Sequence, residues 1–239
     1  MNLVNKHFFR FDGMNSADFG AYIAIGNIFD GAERDVESVE IPGRNGTLTL
    51  DNHRYHNLIL TLTVYVPSQM RRHVDALRGY LQSRDGYCKL EDTLHPEEYR
   101  LARFAGFVVT ESDRKGASID ITFDCKPQRF LRSGDRAITY TVKNNNIVVN
   151  RTYFTAKPLI RCYGASGTLT VNGVKVTVSG CTSYVDIDCD LMEAYEGETS
   201  RNSKTVLDSG AFPKLVPGNN TVSFTGFSRI AITPRWFMI

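Results

Sequence analysis

The sequence predicts a mainly β chain in two units with a single α-helix, on three observations. Leu58 to Val66 alternates strictly: Leu58, Leu60, Leu62, Val64 and Val66 share one face, and Thr61, Thr63 and Tyr65 share the other, as in a half-buried antiparallel strand. Thr168 to Val178 is two alternating runs about Asn172-Gly173, the strongest short hairpin signal, because a type I′ turn needs φ > 0 twice. Only one stretch has helical spacing: after the cap offered by Pro67-Ser68, Met70, Val74, Leu77 and Leu81 recur at four, three and four, and Gly86 follows. Arg71, Arg72, Asp75 and Arg78 lie off that stripe and read as its solvated side, so the helix should cover one face of a sheet.

The other elements follow in order. His7 to Phe11 alternates aromatic and polar residues up to Asp12-Gly13, a strand and turn, and Asn15 to Gly20 is a short turn before a second strand, Ala21 to Ile25. Past the helix, Tyr87 to Glu91, Leu101 to Thr110 and Ala117 to Cys125 read as strands, the last ended by Lys126-Pro127. From Gln128 the pattern loosens, through Ser133-Gly134-Asp135 and Asn144-Asn145-Asn146. We therefore expect a first domain at 1–135, a connection at 136–157 and a second at 158–239. The second holds the Asn-Gly hairpin and strands at Tyr184 to Asp190, Val222 to Thr225 and Arg229 to Thr233, a spacing that argues a β-sandwich.

Composition excludes several function classes. The chain has 239 residues, 42% hydrophobic, enough for real cores; 28 basic against 26 acidic side chains give +2 without any block of like charge, so no nucleic-acid or polybasic membrane surface is marked. No run nears the eighteen or so apolar residues of a spanning helix and Met1 to His7 is no signal peptide, so no membrane partner and synthesis in a cytoplasm are expected. The cysteines, Cys88, Cys125, Cys162, Cys181 and Cys189, form no C-x-x-C; four fall in phase with apolar strand neighbours and read as buried free thiols.

Catalytic and metal readings find no complete set. Gly164-Ala165-Ser166-Gly167-Thr168 resembles a nucleophile elbow but lacks its last glycine and leads into a strand. Asp186, Asp188 and Asp190 have calcium-loop spacing, yet Leu191 takes the glycine position, and alternation makes them a strand's solvent face. His53 and His56 lack a third ligand, and the pairs Glu91-Asp92 and Glu97-Glu98 lie in a loop without a defined separation. No enzyme activity, cofactor or metal is expected.

Two constellations remain. In Val39 to Gly46 a β run stops at Pro42, and Pro42-Gly43-Arg44-Asn45-Gly46 forces a tight reversal from which Arg44 projects, either a solvated tip or a contact to another chain. Toward the end, Gly210 to Asn220 is punctuated by Pro213, Pro217 and Gly218, and the chain runs Ile232-Thr233-Pro234-Arg235-Trp236-Phe237. Together with Phe9-x-Phe11-Asp12-Gly13, Ser16-x-Asp18-Phe19-Gly20-x-Tyr22-Ile23, Tyr99-x-x-Ala102 and Phe123-x-Cys125-x-Pro127, these stretches give the chain a pattern that resembles the distal tail proteins of long, non-contractile-tailed bacteriophages and prophages of Gram-positive hosts.

The resemblance implies an assembly role at the tail tip of a virion. It implies a hexameric ring built by N-terminal domains, with galectin-like C-terminal β-sandwiches outside. That ring joins the tail-tube protein to the tail-tip hub protein, can carry receptor-binding proteins, and lets DNA pass. A ring needs heterologous contacts, for which Pro42, Gly43, Arg44, Asn45 and Gly46 are the candidates, while Phe212, Pro213, Gly218, Asn220, Pro234 and Trp236 are expected structural anchors. The other reading is a carbohydrate-binding module for cell-wall polysaccharide in the second domain, with the lone Trp236 either a sugar platform or, as its place in Pro-Arg-Trp suits better, a core anchor.

Overall fold

The computed structural model describes residues 6–26, 30–67, 70–112 and 116–239, in two compact units, Met1–Arg129 with Ile239 and Phe130–Met238. Ser68, offered above as a helix cap, lies outside the described residues.

The first unit carries β1 (Phe9–Phe11), β2 (Met14–Asn15), β3 (Tyr22–Gly26), β4 (Arg34–Glu40), β5 (Thr47–Tyr55), β6 (Leu58–Val66), α1 (Met70–Gln82), β7 (Cys88–Asp92), β8 (Glu98–Ser112) and most of β9 (Ala117–Leu131). Seven strands of this unit belong to one sheet, in the order β2-β1-β7-β8-β9-β6-β3, and among the described residues β4 and β5 pair only with each other. The β6 register against β9 puts Leu60 beside Phe123, Leu62 beside Ile121 and Val64 beside Ile119, the face that the alternation assigns inward. Val74, Leu77 and Leu81 of α1 are buried in the same core with Phe9 and Phe11; burying each stabilises the docked helix by roughly 1.5–3 kcal/mol. Tyr80 fastens the helix edge by donating to the carbonyls of Phe11 and Asp12 at 2.9 and 3.1 Å. The stretch before β3 is a short 3₁₀ turn, Ser16–Phe19, closed by Gly20 at φ 65°.

The strand expected to stop at Lys126-Pro127 instead runs on to Leu131. Pairing with β6 ends at Leu58 opposite Cys125, so Pro127 lies past that partner and its missing N–H breaks no bond to β6.

The second unit carries β10 (Ile138–Tyr140), β11 (Asn146–Asn150), β12 (Leu159–Tyr163), β13 (Gly167–Val171), β14 (Val174–Val178), β15 (Tyr184–Asp188), β16 (Glu193–Glu196), β17 (Thr199–Ser200), β18 (Thr205–Leu207), β19 (Gly218–Thr225), β20 (Arg229–Thr233) and β21 (Phe237–Met238). Two antiparallel sheets, β10-β20-β12-β15-β16-β17 and β11-β19-β13-β14-β18, enclose one core that includes Ile160, Cys162, Leu169, Val185, Phe224 and Ile232. Asn172 and Gly173 both have positive φ, 50° and 83°, as the Asn-Gly turn requires.

Residues 136–157, expected to connect two domains, belong to this sandwich: β10 pairs with β20 and β11 with β19. Their hydrophobic pattern misleads because β11 turns Asn146, Val148 and Asn150 inward and leaves Ile147 and Val149 exposed. The buried amides are satisfied locally, Asn146 donating to the Val142 carbonyl at 2.6 Å and Asn150 to those of Phe154 and Leu215 at 2.9 and 3.0 Å.

All five cysteines are free; four are buried and Cys88 is half-buried. Burial pushes the Cys125 and Cys189 thiols up to about 12, far from the reactive thiolate.

Two predictions arise here. An alanine Cβ at Gly134 would lie 2.3 Å from the Trp236 nitrogen, so Gly134→Ala should cost about 2–4 kcal/mol, read by the fluorescence of the lone tryptophan during thermal unfolding. Glu196 accepts from the backbone N–H groups of Ser183 at 2.9 Å and Thr182 at 3.1 Å and pairs with Arg201 at 2.6 Å, which holds its carboxyl down at about 2. A depressed carboxylate stabilises the fold above its unfolded pKa of about 4.3 and loses that stabilisation as pH falls toward 2. The gap in melting temperature between wild type and Glu196→Gln should therefore be full at pH 7 and close between about pH 4 and 2.

Candidate assembly interface

The Pro42–Gly46 corner is the tip of the β4–β5 ribbon. Gly43 and Gly46 take φ 83° and 81°, the Arg44 N–H donates to the Ile41 carbonyl at 3.1 Å, and all five corner residues are exposed. The ribbon is held at its base by charge. Arg34 pairs with Asp51 at 2.6 Å, and Asp35, the one buried residue of the two strands, accepts from Arg54 and from Asn52 at 3.1 Å. The Arg54 hydrogen bond holds the Asp35 carboxyl below the usual range, and the Arg34 hydrogen bond does the same for Asp51.

Above that base one face is apolar. Val39 stands opposite Leu48 and Glu37 opposite Leu50, so Val39, Leu48 and Leu50 share a side, with Ile41 next along the chain. These four are 38% to 48% exposed, against nearly none for the core-facing side chains of β6. A two-stranded ribbon is marginally stable alone, and one with an open apolar face has surface to bury. The sequence reading named the tip and missed this face, although Val39-x-Ile41 and Leu48-x-Leu50 carry its signal.

The expected anchors lie in the second unit. Asn220 is fully buried: its Nδ2 donates to the carbonyls of Val148, Val216 and Gly218 at 3.1, 2.9 and 3.0 Å, and its Oδ1 accepts from the Val216 N–H at 2.8 Å and from Asn172 at 2.6 Å. Gly218 opens β19 at φ 89°, Pro213 and Pro234 are buried, Phe212 packs partly buried on the core, and Trp236 is 8% exposed within it. That burial leaves Trp236 no face for a sugar.

Of the three acids assigned to a solvent face, Asp190 is exposed as expected, but the other two are buried. Asp186 and Asp188 are each 2% exposed because arginines cover them, Arg161 on Asp186 at 2.7 Å and Arg235 on Asp188 at 2.8 Å, both bidentate. Burial pushes the Asp188 carboxyl up, but Arg235 and the Leu191 and Asp190 N–H groups outweigh it and hold it low. On the same sheet face Arg229 lies 4.1 Å from the Tyr163 ring centroid and Arg161 4.5 Å from that of Tyr184, so each ring has a guanidinium where a sugar would stack. Ser166 of the elbow-like stretch accepts from the Gly180 N–H at 3.1 Å, and His53 and His56 sit beside Asp51 and Asp35 at 3.7 and 3.5 Å. Of the carboxylate pairs, Glu98 is bound to Arg129 at 3.2 Å and Glu91 lies 3.6 Å from Arg10.

Compared with solved structures, the chain superimposes on the Dit (gp 19.1) protein of phage SPP1 with a TM-score of 0.80, covering 98% of this chain and 100% of that one at 14% identity. It has the Dit fold. Chains of the phage P2 baseplate in its activated conformation, with Ca and with Sr, share the Dit fold less closely, at TM-scores of 0.56 and 0.55, each 10% identical and covering 96% and 95% of this chain and 98% of theirs. No protein-family model matches the sequence, and no curated protein matches it either.

Proposed function

We propose that this chain is a structural subunit of a bacteriophage tail tip, whose product is an assembly rather than a reaction. The observation that carries the reading is the end-to-end match to SPP1 Dit, a protein described as a paradigm of the hub adsorption apparatus in phages that infect Gram-positive bacteria; the match spans 98% of this chain and 100% of that one. Copies of the chain close into a homo-hexameric ring that joins the tail-tube protein to the tail-tip hub protein and offers a seat to receptor-binding proteins. The β4–β5 ribbon is the contact between neighbours in that ring. Its apolar face of Val39, Ile41, Leu48 and Leu50 covers a different patch on the next copy, the heterologous geometry a ring requires, and Arg44 reaches beyond it. The near-zero net charge of +2 suits a channel through which DNA passes without binding.

Electron microscopy of the purified chain, alone and mixed with tail-tube and hub proteins, tests this. Six-fold rings are the expected particles; a chain that stays monomeric with both partners present would refute the reading.

A further inference from the structure

Among the described residues of the first unit, one buried arginine has no ion pair. Arg100, on β8 opposite Leu90 of β7, is only 8% exposed. Its Nη2 donates to the Asp30 carbonyl at 3.2 Å, but its Nη1 is buried with no hydrogen-bond partner among the described residues, and no carboxylate there forms an ion pair with it. Arg100 lines a solvent-open cleft together with Asp92, His95, Glu98, Tyr99 and Arg129. The two acids in that wall are engaged elsewhere: Glu98 holds Arg129 at 3.2 Å, and Asp92 accepts from the N–H groups of Leu94 and His95 at 2.8 Å and faces His95 Nδ1 at 3.3 Å.

Desolvation already pulls the Arg100 pKa down, yet an arginine stays charged at any ordinary pH. A buried cation is stable only when an anion or strong acceptor meets it. The free space is about 20 Å³, room for the head of a small group and not for a sugar ring. Asp92 and Glu98 in the wall repel a dianion such as phosphate more than a singly charged group.

We propose that this cleft is a carboxylate receptor, with the Arg100 guanidinium as the binding group. A free organic acid can supply that carboxylate, and so can an aspartate or glutamate side chain of an adjoining chain; only the second source rests on the tail-tip reading.

The test uses the whole chain labelled with ¹⁵N-arginine and titrated with sodium acetate against sodium chloride at equal ionic strength. The Arg100 side-chain signal, assigned through its own backbone, should move saturably with half-saturation on the order of 1–10 mM acetate and stay still in chloride. Inorganic phosphate should move it at least several-fold less. A signal that responds to acetate and chloride alike overturns the proposal, and the cleft then holds water alone.

Arg100→Leu separates the sources. It places an apolar side chain beside Leu60 and Leu90, so its melting temperature should equal or exceed that of wild type. If the carboxylate comes from an adjoining chain, this variant assembles at least tenfold more weakly and acetate competes with wild-type assembly; if it comes from a free acid, assembly is unchanged while the acetate response disappears. Either supports the receptor. A chain that never assembles refutes the tail-tip reading and leaves the acetate titration to decide this one.

Discussion

Asn220→Ala should lower the stability of the second unit by about 3–5 kcal/mol, the largest single-residue loss expected outside the hydrophobic core. The amide is fully buried and makes five hydrogen bonds, four of them to backbone groups, the Val148, Val216 and Gly218 carbonyls and the Val216 N–H, that tie β11 and the approach to β19 together. Alanine takes the amide partner away from those groups, and a polar group left buried and unpaired costs about 1–3 kcal/mol. In a unit of this size the melting temperature should drop by roughly 10–20 °C. Asn220→Asp should not rescue it, because a carboxylate cannot donate to carbonyls and would be a buried charge. The neighbouring Asn219 is exposed, and Asn219→Ala should shift stability by less than about 0.5 kcal/mol. A calorimetric scan of the three variants decides it: equal melting for Asn220→Ala and wild type would show that the clasp contributes nothing.

The second large effect falls on assembly and spares the fold. Leu48→Asp with Leu50→Asp puts two charges on the apolar face of the β4–β5 ribbon, at positions 42% and 48% exposed in the isolated chain. Neither side chain belongs to the core of the first unit, so the melting temperature should stay within a degree or two. If this face packs on a neighbouring copy, central apolar contacts of that kind are worth at least about 2 kcal/mol each, and association should weaken by about 30-fold or more. Thr49→Asp, on the opposite face beside Ser38, serves as the control and should leave association within a fewfold of wild type. Sedimentation velocity reads both, and rings that persist in the double variant would remove the ribbon from the interface.

How far the sequence could be read depended on whether burial followed hydrophobicity. It did in β6 and at Val74, Leu77 and Leu81 of α1, where apolar side chains face one core, and at Asn172-Gly173, where backbone geometry alone selects the residues. It failed where polar side chains are buried by partners distant in sequence. Asn146 and Asn150 face inward on β11, so a strand read as loop; Asp186 and Asp188 lie under Arg161 and Arg235, so buried acids read as solvated. Pairing of that kind is fixed by the tertiary fold, and no periodicity announces it. The interface divided along the same line. The Pro-Gly-Arg-Asn-Gly reversal is local chemistry and legible, and the apolar face behind it lies in plain alternation once β4 and β5 are aligned. The Arg100 cleft is not legible at all, since an arginine in a strand looks ordinary until its buried Nη1 is found without a hydrogen-bond partner among the described residues.

The five unbridged thiols have a consequence for where the protein can work. Four of them are sealed inside the two cores and held as thiols, so no covalent link in the molecule waits on an oxidant. Its skeleton is therefore the same in reducing and in oxidising surroundings, and a particle put together inside a cell and then released would carry the subunit across that change without rebuilding it.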